Sequence, residues 1–474
     1  MKKKLLYILL ASSVFATSCD ALSDFGDMNE NPNVTSNPVV SALLTNVLAG
    51  MGGYAANANG ALYSQYISET QYTDASLYSL QQPAFTGFYN GHLNDLVDYK
   101  TRLKDNVNAN AVATILQQYI FLYVTDMWGD VPYSESLNQV VPKYDTQEEI
   151  YKGALAKLTE AEGQLSAGAG EIPGDIIYNG NVANWKKFAN SVRMMASIQI
   201  SKRYPGASDF AATQFKAALQ DADGYLKTNE DNFAVKYPGG NFKNPWRNIY
   251  DGRKDYAESK TMTDLTASLK DNRQDAFGGK TENLGSPDAL LSSNVGFPYG
   301  LARAKAEAFS EANPGFARVL NGTFRQDNSP YVVLSAGQIA LARAEAAKLG
   351  WTSEVVATVY KDGITLSFAQ WGETPAATYF TQTGVALTGA ATDLNKIVLQ
   401  RYIAHYPDGR MGWNIWRKSA VPALSPAPDA TAGSSIPRRF QYAAAEYTTN
   451  PGVEEAVARL EGGDKMSSRI WWDK

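Results

Sequence analysis

The chain has 474 residues, a net charge of −5 at pH 7 and a pI near 5.4. Phosphate binding needs clustered Lys and Arg, so this balance excludes nucleic acid as a partner. A 44% hydrophobic share over this length is enough to bury a large core.

The first predicted element is a targeting segment. Lys2, Lys3 and Lys4 precede an apolar run from Leu5 to Leu10 that continues to Ala16. About 12 apolar residues cannot cross a hydrocarbon core of roughly 30 Å, so the run reads as a secretory signal. Cys19, the only cysteine in the chain, directly follows Ala16, Thr17 and Ser18. Small residues admit a signal peptidase, and a cysteine at the cleavage point is the lipid acceptor expected of a bacterial lipoprotein. The reading is a signal peptide over 1–18 and a mature chain over 19–474, lipidated at Cys19. With that sulfur consumed, no disulfide can form, and no apolar run of transmembrane length follows. At about 0.8 kcal/mol per buried methylene, two or more acyl chains hold such a body to a membrane.

Helical periods follow. In "AVATILQQYIFLYVTDM" (111–127), Ile115, Leu116, Tyr119, Ile120, Tyr123 and Met127 fall on one stripe. After "WGDVPYSES", Thr146 and Glu149 have capping-box spacing, and Tyr151, Leu155, Leu158 and Leu165 recur at helical intervals. "NWKKFANSVRMMASIQISKRY" and "DFAATQFKAALQDADGYL" predict a helical pair. "SAGQIALARAEAAKLG" predicts a further helix, Thr352 or Ser353 is placed to cap the next, and another runs from about Thr392 to His405. Antiparallel pairs of this size are the unit of tetratricopeptide-type solenoids, although no fixed 34-residue period is present. Strand signals are few. The predicted class is mostly α, in a single domain. Roughly 231–330 forms a loop-rich insertion, and "VPALSPAPDATAGSSIP" forms another long loop.

Catalytic constellations are scarce. His92 and His405 are the only histidines, there is no HExxH, and no cysteine remains for zinc. Neither GxSxG nor GxxxxGK[ST] occurs, so a hydrolase nucleophile elbow and a phosphate-cradling loop are absent. Asp126 and Asp130 flank Trp128, and Glu69 and Asp74 bracket "TQYT". Such pairs could serve glycoside hydrolysis, but acids near Gly and Pro more often cap helices or order turns. Asp126 and Asp130 are assigned to the turn between two helices. "DADG" lacks most of a calcium-loop pattern, so no metal and no cofactor are expected.

Aromatics are the remaining signal: 27 Tyr, 18 Phe and 9 Trp, many inside irregular segments. Tyr72, Asp74 and Tyr78 lie outside any helical stripe. Trp246, Arg247 and Tyr250 sit in "NPWRNIY", and Phe297 and Tyr299 in "GFPYG". Ring faces that stack on a sugar or peptide side chain, with Asp74 and Arg247 holding polar edges, make these eight residues the predicted ligand site.

Several motifs together resemble the SusD/RagB family. "TDMWGDVPYSES" is similar to that family's Asp-x-aromatic-Gly-Asp-x-Pro-Tyr turn, and "NVANWKKFANSVRMMASIQISKRY" to its Trp-Lys-x-Phe-Ala-Asn-Ser helix. "VYKDGITLSFAQWG", "IPRRFQYAAAEYTTN", "LEGGD", the closing "WWD" and the opening "FGDMNENPN" match in order. One departure is "QYAAAEY", where relatives often carry Tyr-Pro. The resemblance implies a fold of tetratricopeptide-like helices supporting ligand loops. It also implies a surface-exposed outer-membrane lipoprotein that binds a nutrient, a glycan foremost, without catalysis. The partner implied is a TonB-dependent, SusC-like barrel that receives the nutrient. Alternatives are a tethered glycoside hydrolase, a peptide-binding protein of the RagB type, and a solenoid adaptor that only scaffolds other proteins. Asp20, Asp24 and Asp27 resemble an acidic export signal and equally suit a solvated linker.

Overall fold

The computed structural model describes residues 39–79, 83–250, 252–279 and 292–474. The signal segment, Cys19 and "FGDMNENPN" lie outside these residues. Chain order begins with helix α1 (Val40–Ala55) and helix α2 (Ala58–Tyr63), then strand β1 (Ile67–Glu69) and helix α3 (Asn94–Arg102). Helix α4 (Val107–Trp128) is the long apolar element. Asn106 caps its start by accepting from the Ala109 amide at 3.0 Å, and Gly129 stops it. The positive φ of Gly129, 91°, is open to glycine at little strain.

Strands β2 (Val131–Pro132) and β3 (Tyr144–Asp145) pair across the next turn, Val131 opposite Asp145. Helix α5 (Gln147–Gln164) opens on the predicted Thr146–Glu149 capping box. Helices α6 (Val182–Gln199) and α7 (Phe210–Leu219) are the predicted pair.

The segment expected to be a loop-rich insertion carries more regular structure than its Gly and Pro content suggests. It holds strands β4 (Phe233–Val235) and β5 (Tyr256–Glu258), and helices α8 (Lys260–Ser268) and α9 (Arg303–Ala312). Strand β5 pairs antiparallel with β1, and β4 with β6 (Tyr331–Leu334).

Helices α10 (Ala336–Lys348) and α11 (Val356–Gln370) make the closest pair. A side chain at Gly363 would meet the Leu341 backbone nitrogen at 2.9 Å, and one at Gly337 the Ser367 nitrogen at 2.9 Å. The two backbones therefore touch only because both positions are glycine. Thr352 and Ser353 do not cap α11. Its cap position is Val355, which gives no side-chain bond, so the hydroxyls lie too early in the chain. Helices α12 (Asp393–Ala404) and α13 (Gly409–Ser419) form the last long pair, and two six-residue helices, Ala444–Thr449 and Val453–Ala458, follow.

Pairs α4–α5, α6–α7, α10–α11 and α12–α13 pack side by side, the tetratricopeptide-like arrangement predicted. Residues Val40–Lys474 form one compact unit. Charge is also buried in it. Glu345 accepts from Arg401 and from Lys418 (2.5 Å). Burial alone would raise its carboxyl; the two cations override that and hold it below the usual range.

Candidate ligand-binding site

The β1–β5 ribbon organises the loops in which most of the predicted site residues lie. The Phe297 amide donates to Glu258 O at 2.9 Å, and Phe297 O accepts from Ser68 Oγ at 3.0 Å. These bonds turn the Phe297 ring between Phe309 and Phe316, with centroids 4.8 and 5.2 Å away. The turn after β1 is held by Glu69, whose Oε2 accepts from the Ser76 amide at 2.8 Å and from Ser76 Oγ at 2.7 Å. Burial raises the Glu69 carboxyl in spite of both bonds.

Tyr78 closes that turn with a left-handed φ of 64°. Its ring then points inward to an edge contact with Tyr63, 6.2 Å between centroids, and its hydroxyl accepts from the Ala427 amide at 3.0 Å. Burial, with the Tyr78 hydroxyl beside it, holds the Tyr299 phenol well above its usual range.

Trp246 is equally internal. It lies in a single helical turn, Pro245–Asn248, capped by Asn244, which also donates to Ser329 O at 2.9 Å. Trp246 is 1% exposed, so neither ring face is open to a ligand. Tyr250 accepts from the Val319 amide at 2.8 Å and donates to Tyr256 O at 2.9 Å, tying two loops to β5. Arg247 pairs with Asp327 at 2.9 Å.

The structure buries most of the expected ligand face. Tyr78, Trp246, Tyr250, Phe297 and Tyr299 are core residues, and only Tyr72 and Asp74 of the eight stand exposed, with Arg247 half-buried. Neighbouring Gly and Pro mark irregular backbone, but they do not say on which side of it a ring falls.

Tyr72 is 51% exposed. Two residues that the sequence reasoning missed flank it: Arg253 and Arg303, whose guanidinium carbons lie 5.9 and 5.2 Å from the ring centroid. They come from the loop before β5 and from the first turn of α9, some 180 and 230 positions along the chain, beyond any local pattern. Glu307 holds the Arg303 guanidinium above its usual range, with Tyr72 and Asp74 adding to the effect. A second exposed ring, Phe242, pairs with Gly239 to close a short hairpin. The Gly-Gly-Asn before it was the available signal.

Of the acids that could have been catalytic, Asp126 and Asp130 are occupied by structural partners. Asp130 accepts from the Gln147 amide at 2.8 Å and pairs with Arg459 at 2.5 Å, so it orders the turn as expected. Asp126 does something different. It accepts from Tyr151 Oη and Asn414 Nδ2 at 2.5 Å each, and from Arg410 Nη1 and Trp472 Nε1 at 3.2 Å each. That makes it a junction between α4, α5, α13 and the chain end rather than a turn residue. Glu162, Asp221 and Asp223 (two of them from "DADG") bring carboxylate oxygens within 4.8 Å of one another. Lys186 Nζ sits 2.7 Å from Asp223 and 3.5 Å from Glu162, supplying a cation from within the chain.

Residues 32–443 match the family model described as starch-binding, associating with outer membrane, of the SusD-like type. The chain belongs to the SusD-like family. Its fold is similar to that of a chitin-binding protein, at 27% identity and a TM-score of 0.79 over 92% of this chain and 100% of that one. It is similar also to a chitin-binding SusD homolog from Flavobacterium johnsoniae, at 22% identity and 0.79 over 92% and 98%. A SusD homolog from Bacteroides uniformis gives 23% and 0.75 over 92% and 99%. No curated protein matches. The SusD-like match stops at 443, yet the closing residues belong to the same core: Trp472 reaches Asp126, and Asp473 accepts from Arg438 at 2.8 Å. Among the described residues no helix is long and apolar enough to cross a membrane.

Proposed function

We propose that this SusD-like chain is a surface lipoprotein, anchored through Cys19 to the outer membrane. It binds a glycan in its loops and passes it, unhydrolysed, to a TonB-dependent, SusC-like barrel. The observation that carries the reading is the open Tyr72 ring beside the exposed Asp74 carboxylate, on a chain whose family model is described as starch-binding. A ring face covers the apolar face of a pyranose, while a carboxylate and guanidiniums take its hydroxyl edges. The 27%-identical chitin-binding protein supports a glycan over a peptide. The occupied state of Asp126 and Asp130 supports binding without catalysis.

Electrophoresis through gels containing chitin, starch or cellulose tests this. Retardation by at least one polymer, with no release of new reducing ends, is the expected result. Retention on a peptide array with no retardation by any polysaccharide would overturn it. For the partner, gentle solubilisation of the outer membrane should co-purify a TonB-dependent barrel; recovery of the chain alone in several mild detergents would refute that part. A stable contact of this kind buries more than about 1,000 Å².

A further inference from the structure

Among the described residues, the charges around Tyr72 leave no positive excess. Arg253 lies 2.5 Å from Asp255, Arg303 2.8 Å from Glu307, and Lys305 2.5 Å from Asp429. Two further exposed charged side chains lie in this neighbourhood among the described residues. Lys254 is exposed beside Arg253, and Asp74, also exposed, makes no side-chain hydrogen bond or ion pair among the described residues. Among the described residues four cations therefore meet five carboxylates, counting the buried Glu69 beside Asp74, on a chain whose net charge is −5. Pairs this short lie well inside a Debye length of about 8 Å, so a charge approaching Tyr72 meets balanced dipoles rather than a positive field.

From this we infer that the site selects uncharged glycans and discriminates against polyanionic ones such as uronate-bearing or sulfated polymers. The inference rests on the glycan-binding reading above and narrows it. A polyanion gains its affinity and its rate of capture from a basic cleft that concentrates it. Here each arginine at the ring is already neutralised, and a carboxylate or sulfate placed near the ring would meet Asp74. A neutral pyranoside loses nothing by this arrangement. Its hydroxyl or amide N–H groups donate to Asp74, and its ring lies against Tyr72. The paired guanidiniums keep N–H groups for neutral acceptors, since one carboxylate does not exhaust the five donors of an arginine.

The test uses matched polymers: chitin, starch and cellulose against their carboxymethylated forms, with the full mature chain. Binding to at least one neutral polymer should be unchanged between about 20 mM and 500 mM salt. Its carboxymethylated form should bind at least about tenfold more weakly. Asp74→Asn combined with Glu307→Gln frees Arg303 and removes the repelling charge. That variant should gain binding to the carboxymethylated polymer at low salt, and lose the gain as salt rises. Tighter binding of the wild type to the charged polymer, falling steeply with salt, would overturn the inference and leave the glycan-binding function standing. Binding to neither set would overturn both.

Discussion

Replacing Asp126 by Asn should destabilise the protein far more than a lost turn or cap would. The carboxylate is buried and receives four donors from α4's partners: Tyr151, Asn414, Arg410 and Trp472. An amide of the same shape brings two donors of its own and no charge, so it clashes with part of this set. It also strips a counter-charge from Arg410. Burial acts to lower the Arg410 guanidinium, and Tyr119, Asp408 and Asp126 together override it. Breaking a buried pair from one side costs about 3 to 5 kcal/mol, a large part of a folding stability of about 5 to 15 kcal/mol. Removing a turn or cap bond would cost only about 0.5 to 2 kcal/mol. Urea unfolding followed by circular dichroism reads the difference as a fall in midpoint at constant slope. Arg410→Gln supplies the second corner of a cycle, in which coupling above about 1 kcal/mol is expected. A loss below about 1 kcal/mol for Asp126→Asn, with no coupling to Arg410, would refute the assignment of Asp126 as a junction.

Asp408 caps α13 by accepting from the Met411 amide at 3.1 Å, and burial pushes its carboxyl up from 3.8 to about 6. The folded state then holds a proton that the unfolded state releases, so stability falls as pH rises from about 4 to about 6, by about 3 kcal/mol at about 1.4 per pH unit. Asp408→Asn keeps the cap and removes this term. Its melting temperature should gain on the wild type between pH 4 and pH 7, and parallel curves would show that the burial argument is wrong. Trp246→Ala should cost about 3 to 5 kcal/mol as a core truncation, yet leave polysaccharide affinity unchanged at a temperature where it is folded; a folded variant that no longer binds would restore Trp246 to the site. Cys19→Ala should abolish labelling by radioactive palmitate and release the chain from the membrane fraction, and continued labelling would refute lipidation there.

Helices were legible where their causes are local. The Thr146–Glu149 capping box and the apolar stripe of α4 appear in the structure as the sequence spacing predicts, because both act within a few turns of chain. The cap of α11 was misread, since Thr and Ser at 352 and 353 favour caps in general but sit too early here. Asp126 was half-read. Its place near a turn is visible in "TDMWGD", whereas Arg410, Asn414 and Trp472 lie roughly 280 to 350 residues away.

The site was less legible for the same reason. Whether a loop ring faces core or solvent is decided by bonds such as Asn244 to Ser329 or Ser68 to Phe297, which join distant segments. Tyr72 and Asp74 lie outside the helical stripes and are the two that the structure leaves open. Arg253 and Arg303 carry no local signal at all, being ordinary exposed arginines until folding brings them to Tyr72.

Titration calorimetry on Tyr72→Ala, with the neutral polysaccharide that retards the wild type, tests the account most directly. The ring is half exposed and is not part of the buried core cluster, so the variant should unfold close to the wild-type temperature. Its affinity should fall at least tenfold, about 1.4 kcal/mol. A folded Tyr72→Ala that binds as tightly as the wild type would place the glycan site elsewhere on the molecule and contradict the account.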